Sequence, residues 1–447
     1  MSEFTYPPEL EIVPLSSPVS ATVTVPGSKS ITNRALVLAA LASRNGPCVL
    51  TGALRSEDTE VMLDCLTKLG FVLEADWRVP QVVVYQNPTD RIIPAEEADL
   101  FVANSGTTMR FLTAMVSVGT GRYRLDGVRR MRERPIGDLL SALRLFGVNA
   151  MGELADDYPP VVVRSFGWRR PEAPPIPGAA YIRSDVSSQF LSGLMLAAPF
   201  AGLHGVSILF DRLVSLPYLD MTDAMLHAWG IRTAFADRSH EFRVAAHPQA
   251  HRSEYAIEPD ASAASYFWAA AAIMGGRVTV GGLNRKSLQG DVAFVDVLER
   301  MGCRVEECDA GITVHGRPLK GVDVDMNAIS DTVMTLGAVA LFADGPTTIR
   351  NVGHIRHKET DRIAALATEL RKLGAEVEER ADGLTITPRP LTGCAVDTYN
   401  DHRMAMSLAL VGLKVPGVVI RNPGCVAKTY PAFWRDLDVL RNGERPV

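Results

Sequence analysis

Residues 21–42 read ATVTVPGSKSITNRALVLAALA, and this stretch decides how the rest of the chain is interpreted. A short β-branched strand is followed by a Pro-Gly turn and then by an almost entirely apolar helix. Ser28 and Ser30 can each cap that helix, because a hydroxyl accepts hydrogen bonds from the unpaired N–H groups of a first turn. Lys29 lies at the same helix start, and Arg34 follows Ser30 by one turn. These features together favour a phosphate or carboxylate site, whereas a capped, buried helix with two solvated cations explains the stretch equally well.

A helix, a glycine and a short β-branched strand recur five times along the chain. The five segments span residues 62–74, 139–150, 225–233, 297–306 and 366–378. Their glycines are Gly70, Gly147, Gly230, Gly302 and Gly374, roughly 70–85 residues apart, and each is expected at a helix C-cap in the left-handed conformation. A fainter sixth copy lies at residues 433–440. Such segments also arise by chance in α/β proteins. The even spacing nevertheless favours six α/β units that form two domains of three units each.

The composition excludes several classes of protein. The 447 residues are 47% hydrophobic and 22% charged, which is ordinary for a globular chain of two or three domains. A net charge of −5 argues against a general nucleic-acid-binding protein. The six cysteines form no C-x-x-C pair, so free thiols in a reducing compartment are expected. No signal segment, membrane span or metal-ligand pattern is recognised, so we expect a cytoplasmic protein without a metal.

Several other polar turns open into apolar helices and carry a cation at the opening. Residues 102–113 offer capping side chains, Gly106 for close backbone approach, and Arg110. An arginine cluster at residues 129–134 directly precedes Pro135. The remaining examples are Ser187, Ser188 and Gln189 before an apolar helix, Ser215 and Tyr218 in a loop, and Asp401 with Arg403. Each alone is a cap beside a solvated cation, but together they predict a small polyanion surrounded by helix N-termini, with hydroxyls for a polyol.

Residues 353–374 differ because they carry a carboxylate at the start of an amphipathic helix. Glu359 lies one turn before the apolar stripe begins, while Lys358 and Arg362 share an adjacent row. A carboxylate in a partly dry cleft beside two cations can exchange a proton near neutral pH, because burial and neighbouring charge shift its pKa in opposite directions. An ordinary charged first turn is the alternative. Asp331, which precedes an apolar helix, is a second candidate, and its alternative role is an N-cap.

Seven motifs in these regions together resemble the 5-enolpyruvylshikimate-3-phosphate synthase family of enolpyruvyl transferases. They are VPGSKSITNR at 25–34, NSGTTMR at 104–110, RMRERPIGD at 130–138, SSQF at 187–190, EPDASAASYF at 258–267, RHKETDR at 356–362 and NDHRMAM at 400–406. They occur over essentially the whole chain and in the order typical of the family, which makes the resemblance specific.

The resemblance implies an α/β fold of two similar domains, each built from three βαββαβ units with threefold pseudosymmetry, with a cleft between the domains. Residues 1–26 and 258–447 would form domain one, the phosphoenolpyruvate and catalytic carboxylate side. Residues 27–257 would form domain two, the shikimate 3-phosphate side. The chain would therefore cross between the domains twice, the second time in the polar, proline-containing stretch near Glu258.

The implied reaction is transfer of the enolpyruvyl group of phosphoenolpyruvate to the 5-hydroxyl of shikimate 3-phosphate, with release of phosphate, in chorismate and aromatic amino acid biosynthesis. It proceeds by addition and then elimination. Both substrates are anions, so cations and helix N-termini supply much of the binding and orientation. By position, Asp331 resembles the base at the 5-hydroxyl, and Glu359 together with Lys29 resembles the proton donor at the methylene carbon. No cofactor or metal is implied.

The resemblance also implies two overlapping sets of binding residues. Phosphoenolpyruvate would contact Lys29, Gly106, Arg130, Gln189, Arg362, Arg403 and Lys428. Shikimate 3-phosphate would contact Lys29, Ser30, Arg34, Ser187, Ser188, Gln189, Ser215, Asp331 and Lys358. Arginine suits such sites because its guanidinium binds carboxylate or phosphate with two parallel hydrogen bonds.

Four positions depart from the pattern common in the family. His354 stands where an asparagine is common, which leaves its contact with the phosphorylated substrate open. Ser105, Thr108 and Phe111 differ from the common N-A-G-T-A-M-R-P, beside the site that the herbicide glyphosate shares with phosphoenolpyruvate. We expect an enzyme that is sensitive or partly tolerant to glyphosate, and an inhibition titration without competition against phosphoenolpyruvate would contradict this.

Three other functions fit parts of the pattern. A sister enolpyruvyl transferase acts on UDP-N-acetylglucosamine but uses a loop cysteine that has no match here. An RNA 3′-phosphate cyclase or RNA-end-binding protein has related units, but a net charge of −5 and 7% aromatic residues do not support an RNA surface. A non-catalytic anion-binding protein on the same scaffold would not need Glu359 and Asp331. We therefore expect a monomer with small-molecule substrates and no nucleic-acid or membrane partner.

Overall fold

The computed structural model of the chain describes residues 5–169, 179–183, 186–202, 205–211, 213–236, 240–247 and 249–442. The chain divides into two compact units. The first unit combines the segments Met1–Gly27 and Glu258–Val447, and the second is the continuous segment Ser28–Ile257. The outermost residues of the predicted domain one, 1–4 and 443–447, lie outside the described residues.

The α-helices are labelled in chain order. They are α1 (Lys29–Ala42), α2 (Glu57–Lys68), α3 (Gly106–Val116), α4 (Gly137–Leu145), α5 (Ser188–Ala197), α6 (Pro217–Ala228), α7 (Ala261–Met274), α8 (Phe294–Arg300), α9 (Val333–Ala340), α10 (Arg362–Lys372), α11 (His402–Gly412), α12 (Phe433–Leu437) and α13 (Val439–Asn442). Short 3-10 helices occupy Ser43–Asn45, Met131–Glu133, Ala198–Phe200, Gly290–Ala293, Asn327–Thr332, Gly353–His357 and Pro423–Lys428.

The β-strands are short and are labelled in the same way. They are β1 (Glu9–Glu11), β2 (Val19–Val23), β3 (Cys48–Thr51), β4 (Leu73–Asp76), β5 (Gln81–Val84), β6 (Glu97–Phe101), β7 (Thr120–Asp126), β8 (Asn149–Gly152), β9 (Val161–Phe166), β10 (Ala179–Ile182), β11 (Gly205–Phe210), β12 (Thr233–Ala236), β13 (Glu241–Ala245), β14 (Glu254–Ala256), β15 (Gly276–Gly281), β16 (Arg304–Cys308), β17 (Gly311–Gly316), β18 (Leu319–Lys320), β19 (Asp323–Asp325), β20 (Ala343–Asp344), β21 (Thr347–Arg350), β22 (Glu376–Arg380), β23 (Gly383–Thr387), β24 (Ala395–Val396) and β25 (Val419–Arg421).

Within its described residues, the second unit contains three four-stranded sheets of one design. Their strand orders are β14-β3-β5-β4, β6-β7-β9-β8 and β10-β11-β13-β12. In each sheet the first pair is parallel and the next two pairs are antiparallel. Parallel neighbours need a crossover connection, and α3 and α5 provide it between β6 and β7 and between β10 and β11.

The first unit repeats this design. Two of its sheets, β16-β17-β15-β2 and β19-β21-β23-β22, have the same pattern, and a three-stranded sheet, β1-β25-β24, takes the third place. The parallel pairs are β2 with β15, β19 with β21 and β24 with β25. A small two-stranded sheet, β18-β20, is also present. The predicted α/β fold class, with three repeated elements in each of two similar units, is therefore confirmed.

The five glycines of the sequence repeat have the expected conformation. Each lies two residues beyond the last residue of its helix, after α2, α4, α6, α8 and α10, and a strand follows. Their φ angles are 88° at Gly70, 77° at Gly147, 78° at Gly230, 112° at Gly302 and 110° at Gly374. A residue with a Cβ is strained there, so glycine at these positions lets the chain leave the helix and enter the sheet.

The most apolar helices lie at the centre of each unit. Residues Ile31–Ala42 of α1 and Ala261–Ile273 of α7 are buried on every side, which is typical of a helix that is packed all around. In the second unit α1, α3 and α5 pack against one another, and in the first unit α7, α9 and α11 do so. Within the described residues no helix is both long and apolar enough to cross a membrane.

Candidate active site

The start of α1 is built as the sequence predicts. Ser28 is the N-cap, and its Oγ accepts a hydrogen bond from the backbone N of Ile31 at 3.4 Å. Ser30 lies in the first turn. Lys29 Nζ lies 3.5 Å from Asp58 Oδ2, and both side chains are largely buried. A lysine held at a capped helix start adds a fixed positive charge to the partial charge of the helix dipole.

Arg34 is almost fully engaged by the protein. Its guanidinium donates to Thr222 Oγ1 at 2.8 Å and Ser192 Oγ at 3.2 Å, and also to the backbone oxygens of Tyr218 and Ser30. Its Cζ lies 5.0 Å from the ring centre of Phe111, a cation–π contact. Burial lowers the pKa of Arg34 to about 10, so it stays charged at neutral pH. Arg34 therefore joins α1 to α3, α5 and α6, with little of its hydrogen-bonding capacity left for a ligand.

Two buried arginines lie beside the start of α3. Ser105 caps this helix, and a Cβ built on Gly106 would lie within 3 Å of the guanidiniums of both Arg110 and Arg134. Arg134 Nη1 donates to the backbone oxygen of Asn104 at 3.1 Å. Glycine is therefore required where the two cations meet the helix N-terminus, and this combination suits an anion.

Arg130 and Arg134 differ in their surroundings. The Arg130 side chain is about one-third exposed, and its Nη1 lies 3.2 Å from Glu133 Oε2. Arg134 is 3% exposed and lies next to Gly106. Sequence reasoning named Arg130 and omitted Arg134, because both belong to one arginine cluster and nothing local tells which of them turns inward.

The start of α5 lies beside the start of α3. Ser187 is the N-cap of α5, and Gln189 Nε2 donates to Thr107 Oγ1 at 3.2 Å. Ser188 is buried in the first turn. Ser215 is also buried and has a φ of 54°, which a non-glycine residue rarely adopts. The second unit therefore brings together most of its predicted binding residues around the starts of α1, α3 and α5.

The first unit holds a cluster of buried charges around Arg362. This side chain is 1% exposed and donates to three carboxylates: Asp401 Oδ2 at 2.8 Å, Glu359 Oε2 at 2.8 Å and Asp331 Oδ1 at 3.2 Å. Asp401, Glu359 and Asp331 together hold the pKa of Arg362 above its ordinary value, against the lowering effect of burial. Because removal of a partner leaves a buried charge uncompensated, the cluster fixes the two predicted catalytic carboxylates in place.

Three more cations complete this cluster. Arg403 Nη2 donates to Asp331 Oδ2 at 2.7 Å, and Lys358 Nζ lies 3.9 Å from Asp331 Oδ1. Lys428 Nζ lies 3.9 Å from Glu359 Oε1. Asp401 caps α11 by accepting from the backbone N of Arg403 at 2.9 Å. The residues predicted in the first unit are thus brought together by α10, α11 and three 3-10 helices.

His354 lies at the edge of the same cluster. It is 8% exposed, and its Nε2 lies 2.9 Å from Ser330 Oγ. Burial, with nearby Lys358 adding to the effect, lowers the pKa of His354 to about 3. The imidazole is therefore neutral at physiological pH and can serve as a hydrogen-bonding group, but not as a cation for a phosphate.

The chemistry available to these residues is acid–base catalysis between anions. Asp331 and Glu359 are carboxylates that can each take or give a proton, and both are surrounded by cations that could also hold an anionic substrate. Among the described residues no group of three or more His, Cys, Asp or Glu side chains is arranged to hold a metal ion.

Solved structures identify the class of fold. EPSP synthase from Acinetobacter baumannii matches with a TM-score of 0.77 and 24% identity, covering 96% of this chain and 97% of that chain. The enolpyruvyl transferase NikO from Streptomyces tendae matches with a TM-score of 0.72 and 20% identity, covering 97% and 96%. The fold is therefore that of enolpyruvyl transferases.

The chain belongs to the EPSP synthase (3-phosphoshikimate 1-carboxyvinyltransferase) family, whose model matches residues 13–437. A 3-phosphoshikimate 1-carboxyvinyltransferase of Nostoc punctiforme is 46% identical over 95% of this chain and 97% of its own length. The enzymes of that name from Thiobacillus denitrificans and the Brassica napus chloroplast are 48% and 43% identical, over 94% of this chain in both cases and over 97% and 83% of their own lengths. The predicted family and the predicted enzyme class, a transferase, are confirmed.

Proposed function

We propose that the chain transfers the enolpyruvyl group of phosphoenolpyruvate to the 5-hydroxyl of shikimate 3-phosphate and releases phosphate, as a step of aromatic amino acid biosynthesis. Membership of the family supports this reaction. The observation that carries the residue assignment is the buried cluster in which Arg362 holds Glu359 and Asp331 in fixed positions. Two carboxylates that are fixed and surrounded by cations match a reaction on anionic substrates in which one proton leaves a hydroxyl and another is added to a carbon and later removed from it.

The two carboxylates have different roles in this proposal. Asp331 accepts the proton of the 5-hydroxyl as its oxygen attacks the enol carbon, and Glu359 gives a proton to the methylene carbon. In the tetrahedral adduct the ionised Glu359 takes a proton back from the new methyl group, the electron pair of that C–H bond re-forms the double bond, and the C–O bond to phosphate breaks, so that phosphate leaves. Lys428, 3.9 Å from Glu359, stabilises the carboxylate form of this residue between the two proton transfers.

The cations divide between holding substrate and holding the catalytic carboxylates. Most of the donors of Arg362 are used by Asp401, Glu359 and Asp331, so we assign it chiefly to orientation. Arg403 and Lys428 are assigned to phosphoenolpyruvate, and Lys358 to shikimate 3-phosphate.

In the second unit we add Arg134 to Lys29, Gly106 and Gln189 as the residues for phosphoenolpyruvate. Arg134 is favoured over Arg130 because it is buried beside Gly106. Ser30, Ser187, Ser188 and Ser215 are assigned to shikimate 3-phosphate, and Arg34 is assigned mainly to holding the helices that carry them. A monomer in the cytoplasm, with glyphosate competing against phosphoenolpyruvate, completes the proposal.

The test is phosphate release from phosphoenolpyruvate, measured separately with shikimate 3-phosphate and with UDP-N-acetylglucosamine. We expect release with the first acceptor and none with the second. Glu359→Gln keeps the shape but cannot exchange a proton, and it should lower kcat by roughly 100-fold or more, as expected for loss of a general acid–base group. Glu376→Gln, at an exposed ion pair on β22, is the matched control and should keep wild-type rates. Release with the nucleotide sugar, or full activity of Glu359→Gln, would contradict the proposal.

A further inference from the structure

A buried carboxyl group lies behind the charge cluster of the first unit. Asp291, in the 3-10 helix Gly290–Ala293, is 3% exposed. Its Oδ2 makes a short hydrogen bond with Ser262 Oγ in the first turn of α7. Its Oδ1 is buried and has no hydrogen-bond partner within the described residues. A buried carboxylate with one unsatisfied oxygen is costly, so this group has a reason to be neutral.

Ser262 connects Asp291 to the proposed active site. Arg403 Nη2 donates to Asp331 Oδ2 at 2.7 Å and also lies 3.4 Å from Ser262 Oγ. One guanidinium nitrogen is therefore shared between the proposed catalytic base and the hydroxyl that Asp291 holds. On the other side, Arg403 Nη1 lies 3.5 Å from the hydroxyl of Tyr266. Arg403 is therefore attracted by Asp331, the closer acceptor, and more weakly by Ser262.

The charge of Asp291 sets the strength of that attraction. When Asp291 is neutral, its O–H can donate to Ser262 Oγ. The oxygen is then a weaker hydrogen-bond acceptor for the Arg403 guanidinium. When Asp291 is ionised, Ser262 must donate to it, and a second negative charge lies behind Ser262. Arg403 is then drawn from Asp331 towards Ser262, and its positive charge is partly neutralised for any anion in the site.

We propose that Asp291 is a positioning residue of the transferase, which in its neutral form leaves Arg403 directed at Asp331 and the phosphoenolpyruvate anion and on ionisation weakens that anion's binding. The inference rests on the proposed function, in which Arg403 binds phosphoenolpyruvate. It adds a group that touches no substrate in that assignment and acts through Ser262 and Arg403.

The surroundings of Asp291 place its ionisation near neutral pH. Burial is the main reason that the pKa of Asp291 is raised to about 7, and the negative charges of Asp331 and Asp260 raise it further. Arg403 and the hydrogen bond from Ser262 act in the opposite direction. These groups come from α7 and its N-cap Asp260, from α11 and from the 3-10 helix Asn327–Thr332.

The experiment compares KM for phosphoenolpyruvate at pH 6 and pH 8.5 in the full chain and in Asp291→Asn. In the wild type, ionisation of Asp291 adds to the pH dependence that phosphoenolpyruvate itself contributes. The variant stays neutral, so the ratio of KM at pH 8.5 to KM at pH 6 should be roughly tenfold smaller than in the wild type. Ser262→Ala breaks the link to Arg403 and should reduce the ratio in the same way. KM for shikimate 3-phosphate should have the same pH dependence in all three proteins.

Stability provides a second measurement that does not depend on turnover. Because the pKa of Asp291 is raised on folding, the folded state holds a proton that the unfolded state has lost, and stability falls as pH rises from about 4 to about 7. The melting temperature of Asp291→Asn should lack this part of the decline. If the role of Asp291 were purely structural, Asp291→Asn would change KM by the same factor at every pH and lower the melting temperature by the same number of degrees at every pH. That result would overturn the inference.

Failure of the proposed function is recognised separately. It would appear as a wild-type chain without phosphate release in the presence of shikimate 3-phosphate. In that case phosphoenolpyruvate is titrated directly, with tryptophan fluorescence as the signal, at both pH values. An equal ratio of dissociation constants in the wild type and Asp291→Asn would overturn the inference, and a smaller ratio in the variant would support it.

Discussion

Arg130 and Arg134 are four residues apart in the chain and yet occupy opposite environments. Arg130 pairs with Glu133 at the surface, while Arg134 is buried against Gly106 and the backbone of Asn104. An exposed ion pair contributes little to stability, whereas a hydrogen bond from a guanidinium to an anion is roughly twice as strong as a neutral one. The two residues therefore form a matched pair for mutation.

We expect Arg134→Gln to raise KM for phosphoenolpyruvate roughly 10–100-fold, since a hydrogen bond to a charged group contributes about 1.5–3 kcal/mol. Arg130→Gln should stay within about twofold of the wild type. Steady-state kinetics at saturating shikimate 3-phosphate measures both, and circular dichroism melts confirm that both variants are folded. A larger effect at Arg130 would restore the assignment made from the sequence.

The burial of His354 leads to a second prediction, which concerns the stability of the protein in acid. Its pKa is lowered to about 3 in the folded protein, whereas an unfolded histidine titrates near 6.5. As pH falls below about 6.5 the unfolded state takes up a proton that the folded state refuses, so stability is lost with falling pH. Between pH 6.5 and 5 this amounts to about 2 kcal/mol. His354→Asn should remove that part of the loss in urea titrations at the two pH values, whereas the exposed neighbour in His357→Asn should not.

At the scale of single residues, the sequence predicted residue types better than partners. Lys29, Glu359 and Arg403 lie where capped helices or charged turns were expected, because these signals are local. Arg134 and Asp291 were not named from the sequence, because the roles proposed for them depend on which side chains other elements bring to them. Motif reasoning cannot supply that information.

At the scale of elements, the turns were predictable and one helix start was not. Glycine at a helix C-cap is favoured by local backbone sterics, so all five repeat glycines were found from sequence. Glu359 was expected in the first turn of a helix, but α10 begins at Arg362 with Asp361 as its cap. Glu359 is buried because Arg362 binds it together with Asp401. The contact between Arg362 and Asp401 joins residues that are 39 positions apart in the chain.

The contact between α1 and α3 leads to a prediction about shikimate 3-phosphate. Arg34 in α1 stacks on Phe111 in α3, and the same guanidinium holds α5 and α6. Phe111→Leu removes the cation–π contact and some packing, and it should cost about 1–3 kcal/mol of stability. Because Arg34 is loosened, KM for shikimate 3-phosphate should rise about threefold.

The control for this prediction is Phe190→Leu. Phe190 is also fully buried and stacks on a different arginine, Arg110, at 5.9 Å. It should lose comparable stability without changing KM for shikimate 3-phosphate. Equal KM changes in the two variants would show that the effect comes from general loosening and not from Arg34.

At the scale of the whole molecule, the two units differ in how the chain builds them. The second unit is one continuous segment, but the first unit takes strands from both ends of the chain. β2 is an outer strand of the sheet β16-β17-β15-β2, where it pairs with β15 from Val19 opposite Gly276 to Val23 opposite Val280. β1 is likewise an outer strand of its sheet, but it pairs with β25 in the antiparallel direction. The first unit therefore depends on residues that are synthesised before the second unit.

This dependence predicts different behaviour of two fragments. Residues 28–257 contain all the strands of three complete sheets, and we expect this fragment to fold alone, with a cooperative melt. Residues 258–447 lack β1 and β2, which leaves the edges of β15 and β25 unpaired and the side chains beneath them exposed, so this fragment should aggregate or remain unfolded. Linking residues 5–27 to its C-terminus restores both strands and should restore a cooperative melt, measured by circular dichroism and size-exclusion chromatography. A well-folded 258–447 fragment would contradict this prediction. It would show that α7, α9 and α11, which pack against one another, form a sufficient core without β1 and β2.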